Sequence, residues 1–216
     1  MLKKTSLLLV FGTLFAFNLS EAQDSLASKR DSMEVLLLRT AQNYGQFIRI
    51  VKAMPANSPH LSLLPSVLPI NIPVEDFRVV SGFGLRLHPL LKKKRLHAGV
   101  DVKAVAGTSV KATATGYVSQ AGYDHELGAF VRIQHAFGFE TIYGHLEGYC
   151  VKTGQCVELN EEIGRVGNTG LSTGAHLHYA IKKNGSAIDP FQFCYLLRYR
   201  LWLYQIDKPI ASGILD

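Results

Sequence analysis

Two short segments of this 216-residue sequence carry side chains whose types and spacing suit metal chemistry. His97 and Asp101 stand four apart in Leu96-His97-Ala98-Gly99-Val100-Asp101. His176 and His178 stand two apart in Gly174-Ala175-His176-Leu177-His178-Tyr179. Together they offer imidazole and carboxylate ligands for one tetrahedral ion. Three protein ligands leave a fourth position for water, which is how catalytic zinc sites are built. Residues i and i+2 of a strand point to one face. If Gly174–Ile181 is a strand, both histidines face one site. One then binds metal while the other stays beside it as a catalytic group. The chemistry these residues point to is metal-assisted hydrolysis.

Other motifs carry less. His125-Glu126-Leu127-Gly128-Ala129 opens like a helical HExxH zinc motif, but Ala129 stands where the second histidine belongs and Gly128 disfavours helix. Gly82-Phe83-Gly84 is too short for a dinucleotide loop. Gly167-Asn168-Thr169-Gly170 and Thr173-Gly174 lack the lysine of a phosphate loop and read as turns that bring backbone close to the site. The run Lys92-Lys93-Lys94-Arg95 is either a solvated loop or a collector of anionic substrate at the rim of a cleft.

The elements that must position these residues are short strands. From Phe77 to about Ile181, apolar and polar residues alternate in runs punctuated by glycine, as in Phe130-Val131-Arg132-Ile133-Gln134. That pattern suits an antiparallel sheet with one buried face. Strands are predicted near 78–81, 109–114, 116–121, 129–135, 140–145, 162–166 and 176–181. Upstream, residues 31–54 predict one amphipathic helix, with Met33, Leu37, Ala41, Tyr44, Ile48 and Val51 at steps of three and four. Such a helix must bury its face on its own domain, on a second copy or on a protein partner; its own domain is the simplest choice. Pro55, Pro59, Pro65, Pro69 and Pro73 predict an extended connector over 55–76. After Asp189-Pro190 a C-terminal helix is predicted over part of 191–216, with Asp189 as N-cap and Pro190 at its first position.

The N-terminus reads as a signal peptide over residues 1–22. Lys3 and Lys4 precede an apolar run from Leu7 to Leu19, and Ser20-Glu21-Ala22 offers a cleavage site. The run is shorter than the ~20 residues of a spanning helix. Cleavage lowers the net charge from +6 to +5, since Lys3, Lys4 and Glu21 leave. A basic exported protein is attracted to wall polymers and anionic head groups rather than to nucleic acid. No transmembrane segment is expected after cleavage. A leader with no wall-sorting tail favours a Gram-negative periplasm or cell envelope over secretion. Of three cysteines, Cys150 and Cys156 flank a tight turn at Lys152-Thr153-Gly154. That turn is expected to set them opposite each other on paired strands, where a disulfide is possible, although the closed loop is small and such geometry is often strained. Cys194 is expected to be a buried thiol.

The motifs carry a specific resemblance. They are Ser81-Gly82-Phe83-Gly84-Leu85-Arg86-Leu87-His88-Pro89, His97-Ala98-Gly99-Val100-Asp101, Tyr143-Gly144-His145-Leu146, Gly164–Gly170 and Ser172–Tyr179. On these motifs the chain resembles, over about Pro65 to Pro190, the lysostaphin/LytM-type zinc metallopeptidases, peptidoglycan endopeptidases of bacteria. The resemblance implies a mainly β, antiparallel sheet or sandwich domain (a duplicated hybrid motif) over 77–190. It implies one Zn2+ per chain held by His97, Asp101 and His178, with His176, His145 and His88 as catalytic histidines. Some members carry tyrosine at the His88 position, where it stabilises an oxyanion. The implied activity is hydrolysis of peptidoglycan stem-peptide cross-links, with a zinc-activated water attacking the carbonyl and histidines as acid and base. Non-hydrolytic members bind wall and activate other hydrolases, which is the alternative the family allows.

Overall fold

The computed structural model describes Lys29 and residues 31–55, 58–87 and 92–197. The readings of a leader at 1–22, of His88 and of the tail beyond 197 lie outside them. The chain divides into two compact units, residues 1–40 and 41–216. In the first, residues 31–40 are helical. In the second, α1 spans Tyr44–Ala53. The single helix read over 31–54 is therefore broken at 41–43. Asn43 is the cause: its backbone is extended and its side chain accepts the Gln46 amide, so it caps a new helix rather than continuing the old one.

The connector is not wholly extended. Pro59–Val67 forms helix α2, with the Ser58 side chain accepting the His60 amide and Pro59 at the start. Proline at the first helical position has lost an amide that had no partner there anyway. Leu61 and Leu64 are buried, and each such side chain contributes about 1.5–3 kcal/mol. That offsets the bond lost at Pro65 in a helix this short.

The rest is antiparallel sheet. The strands are β1 (Val79–Ser81), β2 (Gly84–Leu87), β3 (Lys94–His97), β4 (Val100–Lys103), β5 (Ser109–Lys111), β6 (Gly116–Asp124), β7 (Gly128–His135), β8 (Phe139–Tyr149), β9 (Cys156–Val157), β10 (Glu162–Val166), β11 (His176–Lys183) and β12 (Ser186–Ile188). The main sheet runs β1-β4-β11-β8-β7-β6-β9; β12 adds to β11, and β10 bridges β8 and β5. Strands β2 and β3 form a separate hairpin. Every pairing is antiparallel. The mainly β class is as expected, and β2, β3, β4, β9 and β12 are strands the alternation did not reveal.

The buried face holds Val102, Val131, Ile133, Tyr143, Leu177, Tyr179 and Ile181. Where β8 begins, Phe139 meets Phe47 of α1 at 5.3 Å and Phe193 at 5.0 Å between ring centroids. Phe193 lies in a wide, π-type turn, Gln192–Leu197, which stands where an ordinary helix was expected. Asp189 caps its start, accepting the Phe191 amide at 3.0 Å. Cys150 and Cys156 are exposed free thiols that do not face each other. The Cys150 amide turns to β10, donating to the Ile163 carbonyl, whereas Cys156 pairs with Tyr117 of β6. Cys194 is a buried thiol near the Pro69 carbonyl.

Candidate active site

His178 of β11 lies directly opposite Asp101 of β4 on one side and Gly144 of β8 on the other. Residues opposite each other across a sheet share a face, so Asp101 and His178 project together into one cleft. His97 joins them from the end of β3, which the two-residue link Ala98-Gly99 returns into β4. Only glycine fits at position 99: a Cβ there would stand 2.5 Å from the Tyr179 carbonyl oxygen and 2.9 Å from the His178 ring.

Three atoms converge. Asp101 Oδ1 is 3.1 Å from His97 Nε2 and 3.0 Å from His178 Nδ1, and the two ring nitrogens are 3.2 Å apart. A tetrahedral ion with bonds of ~2.0–2.1 Å sets its ligand atoms about 3.3–3.4 Å apart, so the donor set fits such an ion in both type and spacing. The far side of each donor is fixed. His97 Nδ1–H donates to the Gly82 carbonyl at 2.8 Å, which leaves Nε2 with its lone pair. Asp101 Oδ2 accepts from Arg86 at 3.0 Å. Such outer bonds orient ligands and fix their tautomers.

His176 and His145 stand beside the three. The rings of His145 and His176 are 4.7 Å apart, and that of His145 is 5.8 Å from His178. His176 Nδ1 faces the Gly174 carbonyl at 2.7 Å, and His145 Nδ1 faces the Thr169 carbonyl at 2.8 Å. A carbonyl can only accept, so both rings carry the proton on Nδ1 and present Nε2 as a base.

His145 reaches the cleft by a bulge. Strict alternation would place it on the face of Tyr143, which is fully buried. Between the pairs Val131↔Tyr143 and Ala129↔Leu146, β8 has one residue more than β7. His145 takes the left-handed conformation, φ +60°, and this turns its ring outward. Holding a non-glycine residue there costs about 1–3 kcal/mol. Gly144 makes room, because a Cβ would stand 3.0 Å from Leu127 and 3.4 Å from His178 Cβ. Thr169 pins the bulge: its hydroxyl donates to the Leu146 carbonyl and accepts the Ala129 amide.

The electrostatics follow burial and contact. Burial acts to raise the Asp101 pKa, but bonds to His176, His178 and His97 outweigh it and hold the carboxyl well below the usual range. Burial lowers His145 to about 4, against the Thr169 carbonyl, so the ring is neutral at pH 7. Burial also lowers His176, but Asp101 outweighs it and the net direction is upward.

Of the residues singled out in the sequence, His97, Asp101, His145, His176 and His178 share this cleft; His88 lies outside the described residues. Arg86 and Thr169 belong to motifs already noted, yet nothing in their residue types marked them as supports. His125 and Glu126 lie in the β6–β7 turn and not on a helix.

Residues 95–190 match the model of peptidase family M23. A relative in Neisseria meningitidis, the DD-carboxypeptidase/endopeptidase Mpg, is 44% identical over 118 residues, 55% of this chain and 27% of that protein. The chain thus spans about a quarter of the length of that curated relative. A zinc containing peptidase from Vibrio cholerae aligns with a TM-score of 0.53 and 32% identity, covering 56% of this chain and 39% of that one. A chain of the SpoIIQ–SpoIIIAH pore forming complex aligns with a TM-score of 0.53 and 28% identity, covering 59% of this chain and 92% of that one. Its motifs, its antiparallel sheet and this match agree: the chain belongs to peptidase family M23, the lysostaphin/LytM-type metallopeptidases.

Proposed function

We propose that this protein is an exported zinc metalloendopeptidase that hydrolyses peptide cross-links of bacterial peptidoglycan. The convergence of His97 Nε2, Asp101 Oδ1 and His178 Nδ1 within 3.2 Å of one another carries this reading. Those three residues would hold one zinc. When bound, zinc supplies Lewis-acid polarisation of a carbonyl and lowers the pKa of water toward ~7. His176 and His145 do the proton work. Each presents an Nε2 lone pair, so one ring accepts the proton of the attacking water and, as the imidazolium so formed, passes a proton to the leaving amine, while the other orients the water. Arg86 orients Asp101 through its second oxygen. His88 enters as a third catalytic histidine, on the motif resemblance alone.

The catalytic unit is residues 77–190, with 23–54, 55–76 and 191–216 as appendages. The location is the cell envelope, after removal of a signal peptide at 1–22. The apolar run at 7–19 and the peptidase named in Neisseria support this. Among the described residues, no helix is long and apolar enough to cross a membrane. The test is digestion of purified peptidoglycan, with the products read by mass spectrometry. Release of un-cross-linked stem peptides, stopped by chelator and restored by zinc, is expected; intact cross-links under all conditions would refute the activity.

The family resemblance allows a second reading, a wall-binding scaffold that activates other hydrolases, and the likeness to a chain of the SpoIIQ–SpoIIIAH pore forming complex supports a role in assembly with another protein. Wall binding without bond cleavage by a zinc-loaded protein would select it.

A further inference from the structure

The β2–β3 hairpin stands apart from the main sheet, and its two faces differ. Residues opposite each other in an antiparallel pair share a face. Arg86 pairs with Arg95 and Gly84 with His97, and Arg86, Arg95 and His97 line the cleft. Leu85 pairs with Leu96 and Leu87 with Lys94, so these four make the other face. Leu85 is 81% exposed, Leu87 61% and Leu96 51%; Leu96 also reaches the cleft rim. Leucines gathered in water on one face of a small ribbon mark an interaction surface.

Beside these leucines stand Lys92, Lys93 and Lys94, all exposed. Among the described residues, no carboxylate pairs with them. Arg86 and Arg95, by contrast, are held by Asp101 and Glu126. The outer face thus joins apolar side chains to uncompensated positive charge. A second copy supplies no counter-charge, because it brings the same lysines. A hydrophilic polyanion neutralises the lysines but leaves the leucines in water. An anionic bilayer answers both needs: its head groups take the lysines and its acyl boundary takes the leucines.

We infer that the Leu85, Leu87 and Leu96 face of the β2–β3 hairpin, with Lys92, Lys93 and Lys94, docks on the surface of an anionic lipid bilayer. The hairpin lies on the membrane and does not span it. Arg86, Arg95 and His97 occupy the opposite face, so docking turns the cleft away from the lipid. This goes beyond the hydrolase reading and holds whether or not the cleft cuts a bond.

The test is cosedimentation of the purified protein with vesicles of phosphatidylcholine alone, or of equal parts phosphatidylcholine and phosphatidylglycerol. Wild type is expected to bind the anionic vesicles about tenfold or more tightly than the neutral ones, and less as salt rises. Replacing Lys92, Lys93 and Lys94 together by glutamine should abolish that preference. Leu85→Ser with Leu87→Ser should weaken binding to anionic vesicles about tenfold at unchanged charge. Urea midpoints check that both variants fold. A second readout needs neither: the fluorescence of Leu85→Trp should shift to the blue on anionic vesicles, beyond any shift of wild type. Equal binding to both vesicles, or a Leu85→Trp emission that does not move, overturns the proposal. So does a leucine variant that binds like wild type, which would mean charge adsorption alone. If the vesicles bind nothing and an acidic protein is held by wild type but by neither variant, the face serves a protein and the lipid proposal falls.

Discussion

Asp101 and His178 occupy paired positions on β4 and β11, and Asp101 Oδ1 lies 3.0 Å from His178 Nδ1. Sheet register, not loop geometry, thus presents two of the three proposed metal donors side by side. Removing the carboxylate takes away a ligand that no neighbour replaces. Asp101→Ala is expected to leave purified protein with far less than one zinc per chain and no measurable hydrolysis, by metal analysis and digestion of peptidoglycan.

Arg86 holds the other Asp101 oxygen. Loss of such an outer partner lowers metal affinity by about ten- to a hundredfold. Arg86→Leu should show this in competition with a zinc indicator, with hydrolysis recovering as zinc is raised. Unchanged affinity would mean that Arg86 does not orient the ligand.

Gly144 leaves the space that His178 and Leu127 use. Overpacking of this kind costs about 1–3 kcal/mol. Gly144→Ala is expected to lower the urea midpoint accordingly and to cut activity, since the added methyl presses on His178. Wild-type stability and rate together would contradict the geometry.

His135 gives a dependence on pH. Burial lowers its pKa to about 4, against the Thr115 carbonyl and the Glu140 charge, which act upward. Its Nδ1–H faces Thr115 O at 3.0 Å and its Nε2 faces Thr141 Oγ1 at 2.7 Å. The unfolded chain takes up this proton near pH ~6.5 and the fold only near 4. Stability from the neutral ring is therefore complete above about pH 6.5 and is lost as pH falls toward 4, about 3 kcal/mol in all. Urea unfolding of wild type and His135→Gln from pH 7.5 to 4.5 measures it. The gap between the two should narrow as pH falls; a constant gap counts against the assignment.

What was legible in the sequence follows from locality. His176 and His178 could be found because strand periodicity turns residues i and i+2 to one face, and His97 and Asp101 because two ligand types stand four apart in one short segment, although they fall on two strands. His145 required the family resemblance, since alternation alone turns it into the core and only the bulge with φ +60° brings it out. Arg86 and Thr169 act across 15 and 24 residues of sequence, and nothing local signals such a contact. Helix α2 was masked by proline density, although Ser58-Pro59 is a helix start. The strands were legible where one face is buried, as in β7 and β11. The β2–β3 hairpin was not, because Leu85, Leu87 and Leu96 stay exposed, so its apolar residues mark no buried face.

The most direct measurement is zinc content and peptidoglycan digestion on one preparation, with His176→Ala beside wild type. The expected result is one zinc per chain in both proteins, and release of un-cross-linked stem peptides by wild type alone. Full release by His176→Ala, or by metal-free wild type, would contradict the assignment of zinc and histidine to this chemistry.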